Sequence, residues 1–278
     1  MDEQLLYHKE VNTMALKYLM CLVVLLTGMS AFAGNPTPVI REEHKVVVGG
    51  VEEHWRLEWA SPPSPACSPD EPDVWSTCPC SGFAFGERGN LVLVRKKPGG
   101  EEERFALTQL FDGQFDAPGN VGEVVLRRWD VDKKDMDEST SRDFAERVRA
   151  RPVATVMRFG DYDHDGQATE FLLQVGTLPC GKAMSVAIGV SRHTGTLQVF
   201  STAEHPDRPL VLQDWQWESL RDAKTPIKVV DWKCGDHGSD AETELELAVD
   251  ENGIHATKWT YDCDQDGRRG KPESKEVR

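Results

Sequence analysis

A run of alternating carboxylates is the part of this sequence whose residue types and spacing could do chemistry. Asp161, Asp163 and Asp165 occupy every second position, and Gly166 follows them directly. This spacing directs oxygen ligands toward one point, and the glycine permits the sharp turn that closes such a loop. Carboxylate oxygens are ligands that calcium favours. We therefore expect a calcium site in this loop, with an acidic β-turn that holds no ion as the alternative.

Residues that follow the glycine supply the remaining candidate ligands. With Asp161 as position one, Gln167 at position seven would offer its backbone carbonyl. Thr169 at position nine would ligate through its hydroxyl or through water, and Glu170 is the next acid along the chain. The helix–loop–helix type of calcium loop needs a glutamate at position twelve, where Leu172 stands. The apolar and β-branched flanks predict instead that the loop joins two strands.

A second stretch repeats the acidic pattern nearer the carboxyl end. Asp262, Asp264 and Asp266 alternate ahead of Gly267, and Arg268 follows at once. An arginine in this place opposes an incoming divalent ion and can pair with the aspartates directly. A second metal site and a plain turn are equal alternatives for this loop.

The first loop and its flanks resemble a known group of repeats. Residues 159–166 (FGDYDHDG), followed by the apolar residues 171–173, are similar to the calcium loop of FG-GAP and VCBS-type repeats. Those repeats form β-propeller blades and related all-β modules in exported proteins. The resemblance implies side-chain ligation by Asp161, Asp163 and Asp165 and a carbonyl ligand from Gln167. The family usually has an acid where Thr169 stands; here the acid comes one step later.

The amino-terminal region is typical of a cleavable secretory signal. Lys17 precedes an apolar run over residues 18–26, which is shorter than the ~20 residues that a membrane span needs. Small residues then lead to an A-x-A site ending at Ala33. We expect residues 1–33 to be removed and the mature chain to begin at Gly34. The mature protein would then act in the periplasm or outside the cell, with no membrane contact.

The charge and cysteine content support an exported protein and exclude one class of partner. The formal net charge is −15, which repels phosphate backbones and favours divalent cations over nucleic acid as partners. Removal of the signal takes Cys21 with it. Six cysteines remain, an even number that predicts disulfides in an exported chain: Cys67, Cys78, Cys80, Cys180, Cys234 and Cys263. Cys234 and Cys263 are the preferred pair, because they bracket one predicted hairpin.

Alternation with a period of two predicts a mainly β fold. Trp55, Leu57 and Trp59 share one strand face. Three hairpins are predicted around turns at residues 98–100, 193–195 and 250–253, with a further strand over 121–129 and short helices over 141–149 and 214–223. We expect Ser141 to cap the first helix and the second helix to bury Trp215 and Leu220. The fold class is therefore antiparallel hairpins in a propeller-like or sandwich-like domain. We expect one domain over 34–269, a loop rich in proline and cysteine over 61–80, and a disordered tail over 270–278.

The sequence contains no recognisable catalytic motif. It has no H-E-x-x-H, no phosphate loop and no nucleophile elbow. We therefore expect a structural or binding module, whose partner is an extracellular carbohydrate or protein. A secreted hydrolase that uses a glycosidase-like pair of carboxylates is the alternative, because acids are abundant.

Overall fold

Antiparallel strands make up about half of the residues that the computed structural model describes. It describes residues 37–67, 80–83, 85–111, 122–129, 143–178, 182–224 and 226–278, and residues 38–278 fall in one compact unit. The predicted mainly β class is confirmed. No helix among the described residues is long and apolar enough to cross a membrane.

The strands within the described residues form four antiparallel sheets. The first sheet contains, in spatial order, β1 (Val39–Val48), β2 (Val51–Trp59), β5 (Leu91–Lys96) and β6 (Glu102–Ala106). In the central sheet, β9 (Lys182–Val190) pairs with β8 (Phe171–Leu178), β10 (Leu197–Val199) and β11 (Leu212–Gln213). The third sheet contains β12 (Ile227–Trp232), β13 (Ala241–Asp250), β14 (Gly253–Cys263) and β15 (Arg269–Val277). The fourth contains β3 (Ser64–Ala66), β4 (Gly86–Gly89) and β7 (Val124–Arg127).

The described residues include two short α-helices. They are α1 (Phe144–Arg149) and α2 (Asp214–Asp222), with 3₁₀ turns at Cys80–Gly82, Thr108–Leu110 and Asp236–Gly238. Both predicted helices therefore exist, although Ser141, the expected cap of the first, lies outside the described residues. The second helix buries Trp217 and Leu220. The expected burial of Trp215 is wrong, since that side chain is 42% exposed.

All three predicted hairpins are present. They join β5 to β6, β9 to β10, and β13 to β14, each pair antiparallel. The turn signals are correct for a physical reason: Gly99 and Gly195 have φ of 67° and 65°, in the left-handed region that favours glycine. The strand expected over 121–129 is the shorter β7.

Two hydrophobic cores lie on opposite faces of the central sheet. Val186 and Ile188 of β9 pack in one core with Trp55 and Leu93 of the first sheet. Ala187, between them, packs in the other core with residues of α2 and the third sheet. Sheets therefore pack face to face on both sides of β9, which confirms the sandwich-like expectation.

The segment ahead of the acidic loop is not the predicted strand. Residues 153–159 form no ladder, because side chains of β1 take up their backbone groups. Val156 and Met157 donate their N–H groups to the Glu42 carboxylate at 2.7 and 3.1 Å. Arg41 donates to the carbonyl of Ala154 at 2.8 Å. The loop therefore joins an extended segment, held by side chains, to one strand, β8.

The prediction of a disordered tail over 270–278 is wrong. Residues 270–277 lie in β15, which pairs antiparallel with β14. All nine residues of β15 are exposed, so no apolar pattern marks it in the sequence. Backbone pairing holds it, and Lys275 lies 5.0 Å from the ring centroid of Trp259. The alternating charges of such an edge strand also discourage pairing with other sheets.

Two disulfides lie within the described residues. Cys234 bonds Cys263, as predicted, and Cys67 bonds Cys80 across the loop rich in proline and cysteine. Cys78 and Cys180 lie outside the described residues, so the expectation that no thiol is free stays a prediction.

Replacing both Cys234 and Cys263 by serine should lower the free energy of unfolding by about 3 kcal/mol, because the bond closes a chain segment of 29 residues in the unfolded state. Urea denaturation of the variant and the native protein measures this loss. A loss below about 1 kcal/mol would contradict the stabilising role. As a control on the pairing, thiol titration after denaturation without reductant should find one thiol more in Cys234→Ser than in the native protein.

Candidate metal centre

The acidic loop begins and ends at one pair of backbone hydrogen bonds. Gly160 and Glu170 each donate an N–H group to the carbonyl of the other, at 2.8 and 3.2 Å, and β8 begins at the next residue. Between them, His164 and Gly166 turn the chain with φ of 55° and 86°. The loop is therefore a closed hairpin on the edge of the central sheet.

Three carboxylates converge inside this hairpin. Asp161, Asp163 and Glu170 each offer an oxygen, and these oxygens lie within 4.8 Å of one another. Asp163 is 2% exposed and Glu170 is fully buried. Burying carboxylates this close together is costly unless a cation, a proton or several hydrogen bonds compensate the charge. The geometry of this group is that of a site that could hold a metal ion.

The remaining predicted ligands are placed differently. Asp165 is not part of the group: its carboxylate accepts from the backbone and side-chain nitrogens of Gln167, at 2.7 and 3.2 Å. The Gln167 side-chain oxygen accepts from the N–H of Gly49 at 2.5 Å, which ties the loop to the turn between β1 and β2. Thr169 donates its hydroxyl to Glu170 at 2.5 Å. Thr169 therefore orients the glutamate.

Glu170 enters the site because the chain turns back at the bridge. A count along the loop puts it one step beyond the expected ligand position, whereas its carboxylate points inward and accepts from the N–H of Tyr162 at 2.9 Å. Gly189 of β9 makes room for this arrangement. A Cβ at Gly189 would lie 2.6 Å from the carbonyl oxygen of Thr169 and 2.7 Å from Cγ of Glu170.

An arginine far away in sequence partly neutralises the site. Arg192, in the turn after β9, donates to the carboxylate of Asp163 at 3.1 Å and to its backbone carbonyl. No local sequence signal marks this contact, since the two residues are brought together by the pairing of β8 with β9. Among the described residues, the ion pair that reaches this group of three carboxylates is the one between Arg192 and Asp163.

Burial governs the protonation of these acids. It raises the pKa of Glu170 to about 8, with the charges of Asp163 and Asp165 adding to the effect and the Thr169 hydroxyl opposing it. Burial also raises the pKa of Asp163, although Arg192 counteracts this. The excess negative charge is thus relieved by a proton on Glu170 when no ion is bound.

The second acidic loop has a different environment. Arg268 pairs with Asp264, at 3.4 Å, and with Asp266. Both aspartate side chains are largely exposed. Among the described residues, the group of acids that could hold an ion does not include them. Charge pairing within the loop favours the plain turn of the two alternatives.

Comparison with known proteins gives no relative. No family model, no curated protein and no solved structure matches this chain. The resemblance of the loop to FG-GAP and VCBS-type repeats therefore stays a prediction, and function has to be inferred from the residues themselves.

Glu170→Gln should flatten the dependence of thermal stability on pH in the presence of a chelator. The pKa of Glu170 is about 8 in the folded chain, against an ordinary value of 4.5, so the folded state holds an extra proton between these values. The stability from that proton is fully present below pH 4.5 and is lost as the pH rises to about 8. The melting temperature of the native protein should fall several degrees further than that of the variant across this window.

Scanning calorimetry at pH 5 and pH 8 measures the difference. Glu251→Gln is the matched control, because it makes the same change at an exposed turn and should leave the slope as it is in the native protein. Equal slopes for the native protein and Glu170→Gln would show that Glu170 is ionised throughout.

Proposed function

We propose that the protein is an exported β-rich module stabilised by one calcium ion, with a structural or binding task. The observation that carries this proposal is the convergence of carboxylate oxygens from Asp161, Asp163 and Glu170 within 4.8 Å. All three come from one hairpin that starts a strand of the central sheet. An ion bound there would tie the loop to the sheet and stabilise both.

The donor set supports calcium over other common ions. Carboxylate oxygens suit a hard cation, and the six to eight ligands of calcium allow irregular geometry. Zinc favours nitrogen and sulfur ligands, whereas the acids here are all oxygen donors. Magnesium demands a tighter octahedral shell and gives up its water reluctantly.

The charge balance supports an ion over a site that the protein completes by itself. Of the three carboxylates, Asp163 pairs with Arg192, and the described residues show no ion pair to the other two. A calcium ion would replace the proton on Glu170 and supply the missing positive charge. Binding would then release a proton at neutral pH, as expected where a ligand must ionise to bind.

Export and an extracellular partner belong to the same proposal. The two disulfides are of the kind that persist in oxidising compartments, which supports the secretory signal over residues 1–33 and a place in the periplasm or outside the cell. The partner would be a carbohydrate or protein met there.

Calcium should raise the melting temperature of the chelator-treated protein. Ligand at about 100 times its dissociation constant adds ~2.7 kcal/mol, or roughly 5–10 °C for a chain of this size. Asp161→Asn and Glu170→Gln should remove most of that rise, because each takes one carboxylate from the converging group. Asp165→Asn should remove less, since its carboxylate is engaged by Gln167.

Scanning calorimetry with chelator, then calcium, then magnesium is the test. Asp264→Asn is the matched control, as the same change in the second loop, and it should keep the full response. If calcium does not change the melting temperature of the native protein, the loop is an acidic turn without an ion and the calcium proposal is wrong.

Hydrolysis is a second candidate function, favoured by one cleft. Asp214 and Glu218, one turn apart on α2, line a cavity of about 280 Å³ together with Ser185. Burial raises the pKa of Asp214, and the Ser185 hydroxyl donates to it at 2.5 Å. A partly buried acid whose pKa is raised, beside an exposed carboxylate, is the division of roles that glycosidases need. Trp215, exposed on the same helix, could support a sugar ring.

Turnover of chromogenic glycosides measures this second function. Any hydrolysis should fall at least about a hundredfold in Asp214→Asn and in Glu218→Gln, the usual loss for a general acid or base. Glu251→Gln should keep the native rate. An absence of turnover, or a rate that survives both changes in α2, would exclude catalysis at this cleft.

A further inference from the structure

A second cleft lies beside the acidic loop and, apart from Asp163 and Arg192, is lined by residues that neither function above uses. It has a volume of about 210 Å³, and Asp163 and Arg192 form part of its wall. Besides His193, five neutral hydrogen-bonding side chains from three stretches of the chain also line it: Ser191, Gln198, Ser201, Thr202 and Asn252. Hydroxyl and amide groups of this kind can both donate and accept. The cleft is therefore built for a ligand that does the same.

One of these side chains has an unsatisfied hydrogen-bonding group. Thr202 is 3% exposed, and its hydroxyl has no hydrogen-bond partner among the described residues. A buried hydroxyl left unpaired destabilises the folded chain, and most buried polar groups are paired. A ligand hydroxyl would satisfy it.

Ser191 offers a second hydroxyl in a defined orientation. Its oxygen accepts from the N–H groups of His193 and Thr194, both at 3.2 Å. Because the oxygen is used as an acceptor, its own proton is available for donation. Ser191 is 2% exposed, so the cleft carries two buried hydroxyls.

Charge and apolar surface narrow the class of ligand. The two charged groups in the wall, Asp163 and Arg192, already pair with each other, so the cleft offers little net charge to an ionic ligand. Phe200 and Ile254 contribute buried apolar surface. A sugar ring combines hydroxyl edges with apolar C–H faces, and one ring suits a cavity of this volume.

We propose that this cleft binds a single neutral sugar unit, whose hydroxyls pair with Thr202 and Ser191. The proposal gives a ligand class to the binding task proposed above and rests on that task. The evidence for the proposal is the lining of the cleft and the unpaired hydroxyl of Thr202, and it does not depend on a bound calcium ion.

Thr202→Val is the sharpest test, because valine keeps the shape and removes the hydroxyl. In the sugar-free protein it should raise the melting temperature by a few degrees, since an unpaired polar group is lost. Binding of glucose, galactose or mannose, whichever the native protein takes, should weaken at least about tenfold. Calorimetric titration with each sugar measures the affinity.

Three matched variants locate the ligand. Thr243→Val removes another buried hydroxyl without a partner in the described structure, outside the cleft, and should leave affinity unchanged. Asn252→Ala, whose side chain lines this cleft, should weaken binding several-fold. Arg208→Ala should have no effect, because Arg208 lines the neighbouring cleft, which also touches Thr202.

The outcomes separate this proposal from the calcium site. Titration is run with calcium and with chelator. Sugar binding by a protein whose melting temperature does not respond to calcium would support the sugar site and contradict the calcium proposal. No binding of the three sugars in either condition overturns the sugar site. A lower melting temperature in Thr202→Val also overturns it, because that would show a hydroxyl already satisfied, for example by water.

Discussion

The burial of β9 on both faces is the constraint on which the rest of the structure depends. Residues 184–190 are all buried, so a polar group on this strand has no access to water and needs a partner within the protein. Ser185 finds one in Asp214, which fixes the start of α2 against the sheet. Gly189 offers no side chain at all, and the end of the acidic loop occupies the space. Two features of β9 therefore set the positions of α2 and of the candidate metal centre. The Ser185 hydroxyl needs a partner, which α2 supplies, and the missing side chain of Gly189 leaves space for the end of the acidic loop.

Two buried glutamates show how differently this fold treats charge. Glu53 is 4% exposed, and Arg95 donates to both of its oxygens at 2.6 and 2.9 Å. Burial opposes the charge of Glu53, but hydrogen bonds from Arg95 and Trp55 outweigh it and lower its pKa. Among the described residues, Glu170 receives a hydroxyl and one backbone N–H, while the guanidinium of Arg192 is engaged by Asp163. Hydrogen bonds from the protein compensate the charge of Glu53. They do not compensate the charge of Glu170, and this deficit of positive charge is the electrostatic argument for an ion.

The sequence predicts well what depends on local chemistry. Turn glycines and alternation locate all three hairpins, and the bracketing of one hairpin identifies the bond from Cys234 to Cys263. The sequence predicts poorly which face of an element packs against its neighbour in the fold. The choice between Trp215 and Trp217 on α2 is decided by packing against the central sheet, where Trp217 donates to the carbonyl of Ser185. The sequence does not predict the strand β15, because this strand buries no side chain. It does not predict the role of Arg192, because strand pairing alone brings this residue to the site.

The two acidic loops show why spacing alone does not define a metal site. Both carry aspartates at alternate positions followed by a glycine, yet the aspartates of the first are buried or half-buried and those of the second are exposed. His164 lies 2.9 Å from the carbonyl of Leu220 on α2, and β9 covers the end of the same loop. Removal from water makes uncompensated carboxylates costly and a bound ion correspondingly favourable. The loop at Asp264 is exposed on the third sheet and is neutralised by Arg268 at little cost. Burial, which the tertiary fold imposes, is what turns a common acidic turn into a candidate site for calcium.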